Sequence, residues 1–303
     1  MSKLNIIILC GGNSSEKNIS LLTGNAIYNS LKDFHQIKLM NYIGDIEKYL
    51  FQLKSADLVF NALHGGEGEN GILQSFFEQN HIKYTGSDSR SSRIAIDKNL
   101  TKSIALDNSL NTPKWVMSKN SEYKNQINDI INLGFPLVVK PANEGSTMGI
   151  SIVNSVDEIT EAFELAAQFS SEIMFEEYIP GRELTVGILG NRFLPVLEIV
   201  PNHSLYDYKC KYTEGMSEYH CPAKLDERLQ YKIQKDALRL HNLLGCRHYS
   251  RVDFRLNEQN QYSMLEINTL PGMTSTSLLP KAAEVNKITF NELLNEIIEL
   301  ANK

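Results

Sequence analysis

Residues 251–268 read RVDFRLNEQNQYSMLEIN, two alternating segments joined by the polar turn 257–261. Closed as a hairpin about that turn, the segment sets Arg251 against Asn268, Val252 against Ile267, Asp253 against Glu266 and Phe254 against Leu265. Side chains alternate along a strand, so one face is apolar and the other gathers Arg251, Asp253, Glu266 and Asn268. Two carboxylates placed directly opposite each other repel unless a cation neutralises them. Oxygen ligands of this hardness suit magnesium, which takes a few carboxylates together with phosphate oxygens and water. For the hairpin alone, an ordinary solvated sheet face is the alternative.

Upstream, VVKPANEGSTMG (138–149) reads as a strand ending at Lys140 and a glycine-rich loop carrying Ser146 and Thr147. Such a loop lets backbone N–H groups approach phosphate, with hydroxyls and a lysine alongside. No Gly-Lys-Ser/Thr follows at Walker spacing, and a plain glycine-rich hairpin is the alternative. Ser155 and Glu158 predict a capping box before a helix with Ile159, Ala162, Phe163 and Ala166 on one face. GRELTVGILGNRFLPVLEIVP (181–201) predicts a hairpin turning at Gly190-Asn191. Residues 203–222 are polar, tyrosine-rich and aperiodic, which predicts a long loop or lid.

The first 85 residues alternate strand and helix signals, an open α/β layer whose loops at strand ends form ligand crevices. Residues 4–9 and 58–63 are buried strands, a short strand lies near 82–84, and Leu21, Leu22, Ala26 and Leu31 mark a helix. CGGNSSEKNIS (10–20) lacks the third glycine of a dinucleotide fingerprint, which disfavours a nicotinamide dehydrogenase. Ser14 or Ser15 is a candidate helix cap, and Glu16 sits where a carboxylate holds either the helix end or an ammonium group. His64 and Glu69, in LHGGEGENG (63–71), fall in the same crevice. TGSDSRSSR (85–93) reads as a linker ahead of a helix carrying Lys98 and Lys102. In LPGMTSTSLLP (270–280), Gly272 permits close backbone approach, while Ser277 and the Leu278 N–H suit a carboxylate if a helix begins there. A final amphipathic helix starts near Phe290.

The chain has 303 residues, enough for two or three domains around clefts. Its net charge of −6 argues against a general nucleic-acid binder. Cys10, Cys210, Cys221 and Cys246 fit neither a zinc site nor a redox pair, so reduced thiols in the cytoplasm are expected. The N-terminal apolar run is too short for a signal peptide, and no later stretch is long enough to cross a bilayer.

Taken in order, CGGNSSEKNIS, ALHGGEGENG, YTGSDSRSSRIAIDK, VVKPANEGSTMG, GRELTV, YDYKCKYTEGMSEYHCPA, RVDF and LEINTLPGMTSTSL resemble the D-alanine–D-alanine ligases of the ATP-grasp superfamily. The resemblance spans nearly the whole chain. It implies a multidomain α/β and α+β fold: a Rossmann-like N-terminal domain (1–90) and two α+β ATP-grasp domains (91–180 and 181–303) clamping the nucleotide. It implies two magnesium ions, replaceable by manganese, on Asp253, Glu266 and Asn268. ATP would meet Lys98, Lys140, Ser146, Thr147, Glu176, Ile179 and Glu183, and Lys211 once its loop closes. Glu16 would anchor the ammonium of a first D-alanine, with His64 close by, and Arg251 and the Gly272 N–H would polarise its carboxylate. Ser277 and the Leu278 N–H would hold the second, with Ser146 and Tyr212 linked to Glu16. An acylphosphate pathway, a homodimer and a cytoplasmic role in peptidoglycan synthesis follow from the same resemblance. Two stretches depart from it: Glu176-Glu177-Tyr178, where many relatives carry a lysine, and GGEGENG, where several carry arginine or aspartate. A ligase for D-serine or D-lactate, and a nucleotide-binding regulator without turnover, are the rival readings.

Overall fold

The computed structural model describes residues 3–145, 147–201, 215–274 and 276–303. The first sheet is parallel, in the order β2–β1–β3: β1 (Asn5–Gly11), β2 (Gln36–Tyr42) and β3 (Leu58–Asn61). Alternation along β1 sends Ile6, Ile8 and Cys10 into one core and Ile7 and Leu9 into another. The expected strand near 82–84 is a single parallel bridge, Val59 to Tyr84.

Helix α1 (Lys17–Leu31) buries Thr23, Gly24, Ile27 and Leu31, whereas Leu22, expected on the apolar face, is 60% exposed. Polar bonds set that rotation. The Ser20 hydroxyl accepts from the Gly11 N–H (2.8 Å) and donates to the Ala62 carbonyl (2.6 Å). Gly24 then rests on Cys10, where an added Cβ would stand 2.7 Å from the Cys10 Cβ. Helices α2 (Leu50–Lys54) and α3 (Ile72–Gln79) flank the other core, to which Leu53, Leu73, Phe76 and Phe77 belong.

The expected linker at 85–93 is largely helix α4 (Ser89–Ile96). Its serines hid the pattern. Asp88 caps it by accepting from the Ser91 N–H at 2.8 Å, and Ser91 is buried because its hydroxyl donates to the Gly245 carbonyl. Helix α5 (Lys98–Asp107) follows, capped by Asp97.

The second sheet is antiparallel, in the order β4–β7–β5–β6: β4 (Trp115–Lys119), β5 (Leu137–Pro141), β6 (Ser151–Val153) and β7 (Glu172–Glu177). Helices α6 (Ile127–Ile131) and α7 (Ile159–Ala167) pack on it, and α7 buries Ile159, Ala162, Phe163 and Ala166 as its spacing predicts. The predicted capping box is not formed. A 3-10 turn over Val156–Glu158 intervenes, so the Glu158 carboxylate takes the Asn154 N–H at 2.9 Å and Ser155 makes no cap bond.

The third sheet is antiparallel, β11–β10–β8–β12–β13, with β9 on β8: β8 (Arg182–Leu189), β9 (Arg192–Phe193), β10 (Leu197–Pro201), β11 (Ser217–His220), β12 (Tyr249–Leu256) and β13 (Tyr262–Asn268). The Gly190-Asn191 turn joins β8 to β9. β11 overturns the reading of 203–222 as loop throughout. It is an edge strand paired to β10 through its backbone, and its exposed Glu218 and His220 gave no apolar signal. Most of the expected lid lies outside the described residues.

Helix α8 (Glu227–Leu243) covers this sheet with Ile233, Ala237 and Leu240. Helices α9 (Leu278–Val285) and α10 (Phe290–Asn302) return to the first sheet, where Leu293, Leu294, Ile297 and Ile298 join Ile6, Ile8 and Phe60.

The β12–β13 hairpin pairs Arg251 with Asn268, Val252 with Ile267 and Asp253 with Glu266, as expected. Phe254, however, pairs with Met264 rather than Leu265, because Leu265 is an extra residue in a β-bulge. Tyr262, Met264 and Ile267 all enter the core, which strict alternation forbids. The bulge changes the parity of β13, keeping Ile267 inside and Glu266 on the face of Asp253.

Candidate active site

On β12, the core takes Val252, Phe254 and Leu256, and Arg251 and Asp253 face the other way. Arg251 donates from Nε to Asp253 Oδ1 (2.9 Å) and from Nη2 to Oδ2 (2.7 Å), a bidentate pair. Thr185, the partner of Asp253 on β8, donates to Oδ1 at 2.5 Å. The opposing acid, Glu266, meets Lys98 Nζ at 3.1 Å. Two acids are thus matched by two cations, the neutralisation their register demands. Asn268 Oδ1 accepts from the Leu270 N–H at 2.7 Å and keeps a second lone pair. Asp253, Glu266 and Asn268 therefore offer oxygen donors from adjacent strands, a set that fits a hard divalent cation.

Lys98 also donates to the Glu144 carbonyl at 2.6 Å, tying the glycine-rich loop to β13. In that loop Thr147 and Gly149 have φ of +63° and +68°. Thr147 is among the residues the structure describes, but Ser146, Lys211 and Tyr212 lie outside them. Lys140, closing β5, donates to Glu176 Oε1 at 2.6 Å. Glu176, expected near adenine, is 2% exposed, and its other oxygen bonds Lys102 at 2.6 Å. Burial opposes its charge, yet the two ammonium groups prevail and hold the carboxyl below its ordinary range. Ile179 and Glu183 adjoin one arginine: Arg255 Nε donates to the Ile179 carbonyl at 3.0 Å, and Nη1 lies 3.5 Å from Glu183 Oε2.

A cavity of about 630 Å³ opens between the first sheet and the glycine loop, with Ser14, Glu16, Gly65, Glu69, Glu144 and Gly145 on its wall. Glu16 stands at the start of α1 and is 8% exposed. Neither candidate serine caps the helix. Ser14 instead donates to the His64 carbonyl (2.7 Å) and accepts from the Glu16 N–H (3.2 Å), binding the two crevice loops together. His64, 5% exposed, has Nε2 at 3.0 Å from Thr23 Oγ1 and Nδ1 at 3.5 Å from Glu69 Oε1. Ligand atoms of Glu16, His64 and Glu69 lie within 4.8 Å of one another, a compact anionic pocket suited to an ammonium group. Gly145 faces it closely, since a Cβ there would lie 3.7 Å from Glu16 Oε1.

Beyond β13, α9 begins at Leu278 as the carboxylate reading required, and its first N–H groups have no intrahelical acceptor. Ser277 Oγ accepts from the Thr274 N–H at 3.0 Å. Gly272 packs so near that a Cβ would stand 2.9 Å from Ser277 Oγ, which explains the glycine.

Lys98 thus joins the Asp253/Glu266 face to the glycine loop, and that loop borders the Glu16 cavity. The sequence reading missed Thr185, Arg255 and the part played by Lys102. Lys102 left a signal, four residues after Lys98 on one helix face, and so did Arg255, two residues after Asp253 on one strand face.

The D-ala D-ala ligase C-terminus family model matches residues 104–299, and the D-ala D-ala ligase N-terminus model matches 44–87. A D-alanine–D-alanine ligase of Aquifex aeolicus is 40% identical over 299 residues, covering 97% of this chain and 100% of the relative. The crystal structure of a D-alanine–D-alanine ligase from Bacillus anthracis complexed with ATP superposes with a TM-score of 0.86 at 33% identity, covering 98% of this chain and 96% of that one. The VanG D-Ala:D-Ser ligase from Enterococcus faecalis gives 0.86 at 29% identity, over 99% and 100% of the two chains. With two family models along its length and full-length relatives at this identity, the chain belongs to the D-alanine–D-alanine ligase family.

Proposed function

We propose that this chain joins two D-alanine molecules into D-alanyl-D-alanine at the expense of ATP, a step of peptidoglycan precursor synthesis. The observation that carries this reading is Lys98, which links the Asp253/Glu266 face to the loop bordering the Glu16 cavity. The reading needs phosphate, cation and ammonium side by side, and this linkage supports it.

The ammonium of the first D-alanine sits against Glu16 and His64, and its carboxylate lies against Arg251 and the Gly272 N–H. A carboxylate oxygen bonds to the γ-phosphorus, the β–γ bridging P–O bond breaks, and ADP and an acylphosphate result. The second D-alanine is held by its carboxylate at Ser277 and the Leu278 N–H. Its amine attacks the acyl carbon, loses a proton, and expels inorganic phosphate. Lys98 and Lys140 steady the phosphates, with Ser146, Thr147 and Lys211 as further contacts, and Glu176, Ile179 and Glu183 border the nucleoside. Tyr212 and Ser146 complete the Glu16 network. Magnesium on Asp253, Glu266 and Asn268, or manganese in its place, supplies charge neutralisation at the phosphates when bound. The protein contributes position and a dry site, since water destroys an acylphosphate.

The division at 90 and 180 is supported by sheets lying within residues 5–61, 115–177 and 182–268. A cytoplasmic homodimer accompanies this reading; among the described residues no helix is long and apolar enough to cross a membrane. Incubation with ATP, magnesium and D-alanine is expected to yield the dipeptide and ADP by mass detection. Nucleotide binding without ADP release would overturn it. The likeness to a D-Ala:D-Ser ligase makes D-serine and D-lactate the competitors to include, and preference for either would move the second-substrate assignment.

A further inference from the structure

Lys98 and Lys102 lie one turn apart on α5, and both are buried. Each spans the seam between the second and third sheets. Lys98 bonds the Glu144 carbonyl and pairs with Glu266 of β13. Lys102 Nζ donates to Glu176 Oε2 of β7 (2.6 Å) and to Thr112 Oγ1 (2.8 Å), and the Thr112 hydroxyl donates to the Met264 carbonyl of β13 at 2.9 Å. Its ammonium also lies 4.9 Å from the centre of the Trp115 ring. At 0% exposure, with its donors directed to Glu176, Thr112 and Trp115, Lys102 has no contact to offer a ligand.

The charges make this arrangement more than a brace. Glu176 serves both Lys102 and Lys140, so the buried trio carries one positive charge in excess. Burial, aided by repulsion from Lys140, brings Lys102 down to about 8 against the pull of Glu176. An excess charge held out of water is costly unless an anion approaches. Lys140, at the end of β5 beside the glycine loop, is the member an anion reaches.

We propose that Lys102 is a positioning residue for nucleotide phosphates: it shares Glu176 with Lys140, leaving the Lys140 charge free to attract phosphate, and through Thr112 it fixes β13 against β7. Without the Lys102 charge, Glu176 pairs wholly with Lys140 and cancels it. The proposal rests on ATP being the substrate, and deepens that reading.

The test is steady-state kinetics of full-length Lys102→Met and Lys102→Arg, varying ATP and D-alanine separately. Lys102→Met is expected to raise KM for ATP at least tenfold with KM for D-alanine within twofold, and Lys102→Arg to recover most of the ATP effect by keeping the charge. An ATP KM within twofold of wild type, or an arginine variant no better than methionine, overturns the proposal. If Lys102→Met does not fold, Thr112→Val decides, since it keeps every charge. A threefold or larger rise in KM for ATP supports the proposal, and no change overturns it. Should the wild-type protein make no dipeptide, the activity reading falls by itself. The role of Lys102 is then read from calorimetric titration with ADP and magnesium, where at least tenfold weaker binding to Lys102→Met supports it and equal binding overturns it.

Discussion

Arg251 grips Asp253 from two positions away on the same strand face, with two nearly parallel bonds and little freedom to leave. A planar fork of that kind suits a reacting carboxylate better than a lysine point charge does. In the proposed reaction, Arg251→Ala should lower kcat by about a hundred- to a thousandfold, the range for loss of one transition-state donor. Arg251→Lys should recover only part of it. Normal turnover by the alanine variant would remove Arg251 from the site. This face was legible because strand alternation is local: four side chains two apart need no knowledge of the rest of the fold. The bonds of Thr185 to Asp253, of Arg255 to Ile179 and of Lys102 to Glu176 were not, since each acts across a pairing between strands or segments distant in sequence.

The same contrast holds for elements. Buried apolar runs such as β1, and helices with an apolar face such as α10, announced themselves through their period. Helix α4 did not, since its buried positions are serines held by hydroxyl bonds, nor did the bulge at Leu265, which only the core reveals. The bulge should be testable as a unit. Deleting Leu265 removes the extra residue but leaves Met264 opposite Phe254, Glu266 opposite Asp253 and Ile267 inside, so kcat should hold within about tenfold. Leu265→Ala keeps the parity and should retain kcat within about fivefold. A hundredfold loss on deletion alone would show that the local twist of the bulge, and not the parity of β13, aims Glu266. For α1, Gly24→Ala places a methyl where Cys10 stands and should cost about 1–3 kcal/mol in urea unfolding, though alanine is the better helix former. A stabilised variant would mean that the helix moves away freely.

Across the whole molecule, the N-terminal and C-terminal segments meet along a seam that no local pattern foretold. Here the Ser87 hydroxyl accepts from the Arg247 N–H, Ser91 reaches Gly245, and the Gly86 N–H donates to His248 Nδ1 at 3.0 Å. That last bond requires Nδ1 to be unprotonated. Nearby His241 is buried with Nδ1 at 2.7 Å from Ser250 Oγ. Burial, aided at His248 by Arg247, lowers both from 6.5 to about 4. Between those values the unfolded chain binds protons that the folded chain refuses, so stability is present above pH 6.5 and is lost as pH falls toward 4. Going from pH 7 to pH 5 should cost on the order of 2 kcal/mol for each histidine. Urea unfolding at pH 7, 6 and 5 measures this loss, and His248→Asn should remove about half of it, because asparagine tolerates the φ of +59° and still accepts from Gly86. Equal midpoints at pH 7 and 5 in the unmodified protein would show that neither imidazole is kept neutral by the fold. A magnesium chelator belongs in the same series as a contrast: it should abolish turnover and leave the midpoint unchanged, since the acids of the cation face already hold Arg251 and Lys98.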